Sequence, residues 1–165
     1  MVVVPTIQLA LGYSRKKDAI LQLETVQSQS IRTNVLPVSL IRSNKKTDFT
    51  FSFQGNAVSP IYHRLKAAGI NENIGHTIDA CTSRFALFSG IEVKREGGST
   101  EEALAELAIW LCAGLESHRQ LAECTAENLL PVVGWTVVGP EWRTYMAYRA
   151  LNQNGVETTV YGIFA

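Results

Sequence analysis

The sequence has no surplus of charge of either sign: fifteen Lys and Arg balance fifteen Asp and Glu over 165 residues. A module that grips nucleic acid by bulk charge is excluded, so any such contact must rest on local patches. Apolar runs are short, far below the ~18 residues a membrane-spanning helix needs, and no membrane partner is expected. The opening Met1-Val2-Val3-Val4-Pro5 has no basic region and is broken by proline, so it does not read as a signal peptide. Three cysteines, Cys81, Cys112 and Cys124, show no CxxC spacing. A disulfide framework or structural zinc is not expected, and buried reduced thiols in an intracellular (cytoplasmic or nuclear) protein are. His63, His76 and His118 share no HxH or HxxxH spacing. GxSxG, P-loop and GxGxxG motifs are missing, as are repeats and low-complexity tracts.

What is present is the composition of an ordinary folded core, 46% apolar and 18% charged, and it reads as a single domain spanning 1–165. Ser14 to Ser30 predicts a helix, with Ser14 as N-cap and Ile20, Leu23, Val26 and Ile31 as its stripe. Val35 to Ile41 is apolar and β-branched. Thr47 to Phe53 alternates with period two, with Phe49, Phe51 and Phe53 on one face and Asp48, Thr50 and Ser52 on the other. That predicts a half-buried strand. Pro60 to Ala68 predicts a short helix ended by Gly69. Phe85 to Lys94 predicts a strand with Glu92 and Lys94 on one face and Ile91 and Val93 on the other. After Gly97-Gly98, the pair Ser99 and Glu102 forms a capping box for a helix reaching about Cys124, with Leu104, Leu107, Leu111 and Leu115 as its stripe. Val132 to Val138 and Thr158 to Phe164 read as strands. Glu141 to Leu151, between them, suits helix or strand.

Chemistry concentrates in Asp48 and in Glu92-Val93-Lys94. A carboxylate on one strand and Glu-x-Lys on a neighbour can converge on one polar spot. Two carboxylates can hold a hard divalent ion, and an ammonium can orient water or stabilise a phosphoryl transition state. Taken alone, the pattern is weak and reads more readily as a surface salt bridge between Glu92 and Lys94.

The order helix, Asp strand, Glu-x-Lys strand, helix, strand resembles the core of the PD-(D/E)XK nucleases. The wording is similar to the nuclease-like domain found in many fungal proteins. The resembling residues are Ser43 to Phe49, Ile70-Asn71, Phe85 to Lys94, Gly97-Gly98, Leu107-Ala108-Ile109-Trp110, and Leu130 to Trp142, within roughly Leu21 to Phe164. The resemblance implies an α/β fold, a mixed central β-sheet flanked by helices with a restriction-endonuclease-like core. It implies Glu24 (on the first helix), Asp48 and Glu92 as ligands of Mg²⁺ or Mn²⁺, and Lys94 as the catalytic lysine beside Glu92 and Asp48. The Val93 carbonyl is a further candidate oxygen. The implied activity is phosphodiester hydrolysis. The alternatives are a small-molecule biosynthetic enzyme on the same fold, and a non-catalytic interaction module.

Two departures from the pattern stand out. Thr47 occupies the motif's proline position, and Glu106 stands where the family usually has Gln. A glutamate there either points to water or adds negative charge to the site. His76 is a candidate acid–base group bordering the pocket. The clusters Arg15-Lys16-Lys17, Arg42-Lys45-Lys46 and Lys94-Arg95, with Arg64 and Lys66, could line a phosphate track or be solvated surface. Nucleic acid is thus a candidate partner that the neutral charge disfavours, and a small-molecule substrate is the alternative. The apolar content suits a homodimer, with Trp135, Trp142 and Tyr145 as candidates for its interface.

Overall fold

A computed structural model of the protein describes residues 5, 7, 21–37, 46–53, 58–70, 73–152 and 155–163. Seven strands form one mixed sheet: β1 (Leu21–Thr25), β2 (Phe49–Phe53), β3 (Ala86–Leu87), β4 (Ser89–Lys94), β5 (Val132–Val138), β6 (Glu141–Asn152) and β7 (Gly155–Ile163). Their order is β1-β2-β4-β5-β6-β7, with the short β3 also paired to β2. Strands β4 and β5 run parallel, joined through the long helix α2 (Thr100–Ala122), and the other pairs are antiparallel. Helix α1 (Ser59–Ala67) lies between β2 and β3 in the chain.

Local chemistry explains most of these elements. The Ser99 hydroxyl accepts the Glu102 N–H at 3.1 Å and caps α2, with Glu101 and Glu102 in its first turn. Leu107, Leu111 and Leu115 are buried along the helix and Leu104 is half-buried, as the predicted stripe requires. Pro60 starts α1, and Gly69, at a left-handed φ of 68°, follows it. The ambiguous Glu141–Asn152 segment is a strand. It pairs with β5 on one side and β7 on the other, so tertiary pairing settles what periodicity leaves open.

Two expectations about these elements are corrected. Leu21–Thr25, placed in the first helix by its stripe, is a strand paired residue by residue with β2. Leu21 and Leu23 stand opposite Phe53 and Phe51, so period-two pairing with an aromatic strand outweighs the helical spacing. The part of that helix before Leu21 lies outside the described residues. Val35, read as the start of a strand, closes a short 3₁₀ turn (Thr33–Val35), and 38–41 lie outside the described residues. The polar face of β2 is its better covered face: Thr50 and Ser52 are fully buried, whereas Phe53 is 38% exposed.

Helix α2 packs on the same side of the sheet, over β4, β5 and β6. Gly90 and Gly134 are register partners on β4 and β5. A Cβ on Gly90 would stand 2.8 Å from both the Leu107 and Trp110 side chains, and one on Gly134 would stand 2.9 Å from Leu107. The helix rests where side chains are missing. Around it Val26, Leu87, Leu107, Trp110, Leu111, Leu115 and Tyr145 form the main core. On the opposite face Ile7, Phe49, Ile91 and Val137 form a smaller core, with Phe51 and Trp135 against it. Of the cysteines, Cys112 is buried, but Cys124 is half-buried and Cys81 exposed, against the expectation of buried thiols.

Candidate active site

Three strands and α2 bring the site together. On β4, period two sends Glu92 and Lys94 to the α2 face and Ile91 to the other, as predicted. Asp48 stands just before β2, whose Phe49 is the register partner of Ile91. Its Oδ2 accepts the Val93 N–H at 2.8 Å, and its Oδ1 accepts from Gln27 Nε2 at 2.6 Å. Asp48 is close enough to Glu92 for its negative charge to act on that carboxyl. Lys94 Nζ lies 3.1 Å from Glu92 Oε1 and 2.6 Å from Glu106 Oε2. Asp48, Glu92 and Lys94 therefore meet.

Glu106 joins them from α2. It is buried and ion-paired to Lys94, so it faces the site and not water.

Burial sets the electrostatics. The Glu92 carboxyl is pushed up to about 8, first by desolvation, then by a hydrogen bond with Glu106 and by the charge of Asp48. Burial and these two neighbours favour the protonated form of Glu92, and a bound cation would favour the carboxylate. Of the two acids, Glu106 makes the shorter contact with Lys94. Burial opposes the charge of Lys94, but Glu106 and Glu92 more than offset it and raise its pKa, so the ammonium stays charged. Glu92 Oε2 is buried without a hydrogen-bond partner, and so is the Oγ1 of Thr136, the register partner of Glu92 on β5.

Glu24 lies on a strand and not on a helix. It is paired opposite Thr50, on the same face as Ser52, whose hydroxyl donates to Glu24 Oε1 at 2.8 Å. Strand β2 separates it from β4, about 10 Å across two strand spacings. Among the described residues no three His, Cys, Asp or Glu side chains are grouped as a metal cage. The donor set at Asp48 and Glu92 nevertheless fits a hard cation. It offers carboxylate oxygens, one of them buried and unpartnered, and Mg²⁺ commonly takes one or two carboxylates and completes its shell with water and substrate.

His76 stands elsewhere. It packs on Gly114 and edge-on against Trp110, with ring centroids 4.2 Å apart. Gly114 is eight residues along α2 from Glu106, about 12 Å of helix. Both His76 ring nitrogens are buried and unpartnered. Gln27 and Thr136 were missed by the sequence reading. Period two could have flagged Thr136, inside an apolar strand and on the face of Gly134, but nothing local marks Gln27.

Two larger cavities lie away from these groups. One, about 520 Å³, is lined by Tyr62, Cys81, Arg84 and Phe85. The other, about 420 Å³, lies between Phe53, Phe88, Leu121 and Leu130. Among the described residues no helix is long and apolar enough to cross a membrane.

No curated protein and no solved structure matches the chain. A family model described as the PD-(D/E)XK nuclease superfamily matches residues 1–165. That match covers the whole sequence, and the mixed sheet carrying Asp48 beside Glu92 and Lys94 is consistent with the restriction-endonuclease-like fold. The chain belongs to the PD-(D/E)XK nuclease superfamily.

Proposed function

We propose that the protein is a divalent-cation-dependent phosphodiesterase acting on nucleic acid. The observation that carries this reading is the meeting of Asp48, Glu92 and Lys94, with one buried Glu92 oxygen left unpartnered. Asp48 and Glu92 would hold Mg²⁺ or Mn²⁺. Glu24, on the same face, has one oxygen engaged by the Ser52 hydroxyl. The cation would polarise a phosphoryl oxygen and acidify a bound water.

The chain's own groups do the rest. The Lys94 ammonium has three donors, and Glu92 and Glu106 engage two of them. The third can orient the attacking water or meet charge developing on a phosphoryl oxygen. Val93 N–H and Gln27 hold Asp48 in one orientation, so little is spent on ordering it when substrate arrives.

The test is cleavage of labelled DNA and RNA, single- and double-stranded, with Mn²⁺ and with EDTA. Products should form only with the cation, and Lys94→Ala should form none while keeping the circular dichroism of the folded protein. Uncut substrates in every arm, or cutting by Lys94→Ala at the wild-type rate, would overturn the reading.

One observation favours a second reading, a small-molecule enzyme on the same fold. A carboxyl group whose pKa is pushed up by burial, as that of Glu92 is, suits a general acid. That reading predicts turnover that survives EDTA.

A further inference from the structure

We infer that Glu106 makes engagement of a phosphate polyanion conditional on a cation already in the site. The inference rests on the nuclease reading above and names a specificity-determining residue within it.

Two carboxyl groups, Glu92 and Glu106, flank the ammonium of Lys94, and a third, Asp48, lies close enough to Glu92 for its charge to act there. The shortest contact of that ammonium is to Glu106, a buried residue of α2, 2.6 Å away. Lys94 is the group that would otherwise greet a phosphate, and Glu106 holds and neutralises it. Without a cation the site is net negative, and in a desolvated place that repels a polyanion strongly. With a divalent cation present the sign of the site no longer opposes phosphate. The same arrangement strengthens cation binding in two ways. Glu106 adds a negative charge nearby, and it screens the cation from Lys94.

Glu106 is a positioning residue in this scheme, acting through Lys94. Its carboxylate is not required as a cation ligand, and its effect is read from binding and not from turnover. An uncharged isostere keeps the shape and removes the charge, so Glu106→Gln isolates the proposed role. Glu106→Asp keeps the charge on a shorter arm and separates charge from fit.

The experiment has two parts: calorimetric titration with Ca²⁺, and fluorescence anisotropy of a labelled duplex and a labelled single strand, each in EDTA and in Ca²⁺. Wild type should bind the oligonucleotides in Ca²⁺ and not in EDTA. Glu106→Gln should bind Ca²⁺ about tenfold more weakly and should bind the oligonucleotides in EDTA about tenfold more tightly than wild type does. Glu106→Asp should keep the cation requirement. Wild type binding equally well in EDTA and in Ca²⁺ would overturn the inference without any variant. Equal Ca²⁺ and oligonucleotide affinities in wild type and Glu106→Gln would overturn it too, while leaving the nuclease reading in place. No Ca²⁺ binding by wild type would remove both.

Discussion

The Asp48 carboxylate accepts the backbone N–H of Val93, so the first acid of the site also ties two strands together. Strands β2 and β4 share one register pair, Phe49 with Ile91, and the side chain of Asp48 extends that pairing by one more bond. Asp48→Ala should abolish cation-dependent cleavage and cost about 1–3 kcal/mol, since it frees the half-buried Val93 N–H. Asp48→Asn keeps one acceptor oxygen and should cost less. Urea denaturation of the two variants checks the order, and equal losses would count against a structural part for this side chain.

Removing Lys94 should destabilise as well as inactivate. Its side chain is 22% exposed and pairs with a Glu106 that is more buried still. Lys94→Ala strands that charge and should cost about 3 kcal/mol. Lys94→Met combined with Glu106→Gln removes both charges and should recover most of the loss. A double variant no more stable than Lys94→Ala would show that the pair is not what holds this corner.

His76 should work against stability in mild acid. Desolvation, then the neighbouring charges of His118 and Arg32, lowers its pKa to about 3 from 6.5. The unfolded chain therefore takes up a proton that the folded chain refuses. The His76 contribution is complete above pH 6.5 and declines as pH falls toward 3, by about 1.4 kcal/mol per unit through the middle of that window. Glu116, held down to about 2 chiefly by its hydrogen bond with Arg119, adds its own loss only below about pH 4.5. Glu92, raised to about 8 in the folded chain, contributes the opposite slope between about pH 8 and 4.5, and His118, also lowered by burial, adds to that of His76. The histidine is therefore read by difference: relative to wild type, His76→Leu should gain stability at pH 5 over pH 7. An unchanged slope in that variant would refute the assignment.

The Ser89 carbonyl accepts both the Trp110 indole N–H at 2.8 Å and the Thr50 hydroxyl at 2.7 Å. Trp110→Phe and Thr50→Val should each cost about 1 kcal/mol through the lost bond, and the remaining donor still satisfies the oxygen. Together they leave it bare of both, so the double variant should exceed the sum by about 1 kcal/mol. Simple additivity in a thermodynamic cycle would show that the two bonds act independently.

Much of this architecture can be read from local pattern. Helix α2 announces itself through Ser99, Glu102 and the Leu107–Leu111–Leu115 stripe, and the facing of Glu92 and Lys94 follows from period two. What is not legible depends on distant pairing. Leu21–Thr25 carries a helical stripe that only the aromatic residues of β2 convert to strand, and Glu24 moves with it. The inward turn of Glu106 follows from where α2 docks, which is set by Gly90 and Gly134 in strands far away in sequence. Gln27 reaches Asp48 across 21 residues, and no spacing rule spans that gap.

The glycine pair under α2 has a mechanical corollary. Asp48, at the entry to β2, is tied by its carboxylate to the strand that carries Glu92 and Lys94, whereas Glu106 rides on a rod seated over two bare backbone positions. Whatever lifts that rod by an ångström, a methyl group at either seat included, breaks the Glu106 clasp on Lys94 first. The acids of the sheet keep their spacing meanwhile. The seat of the helix thus acts as a trim screw on the amine's freedom, adjustable by residues that never touch it.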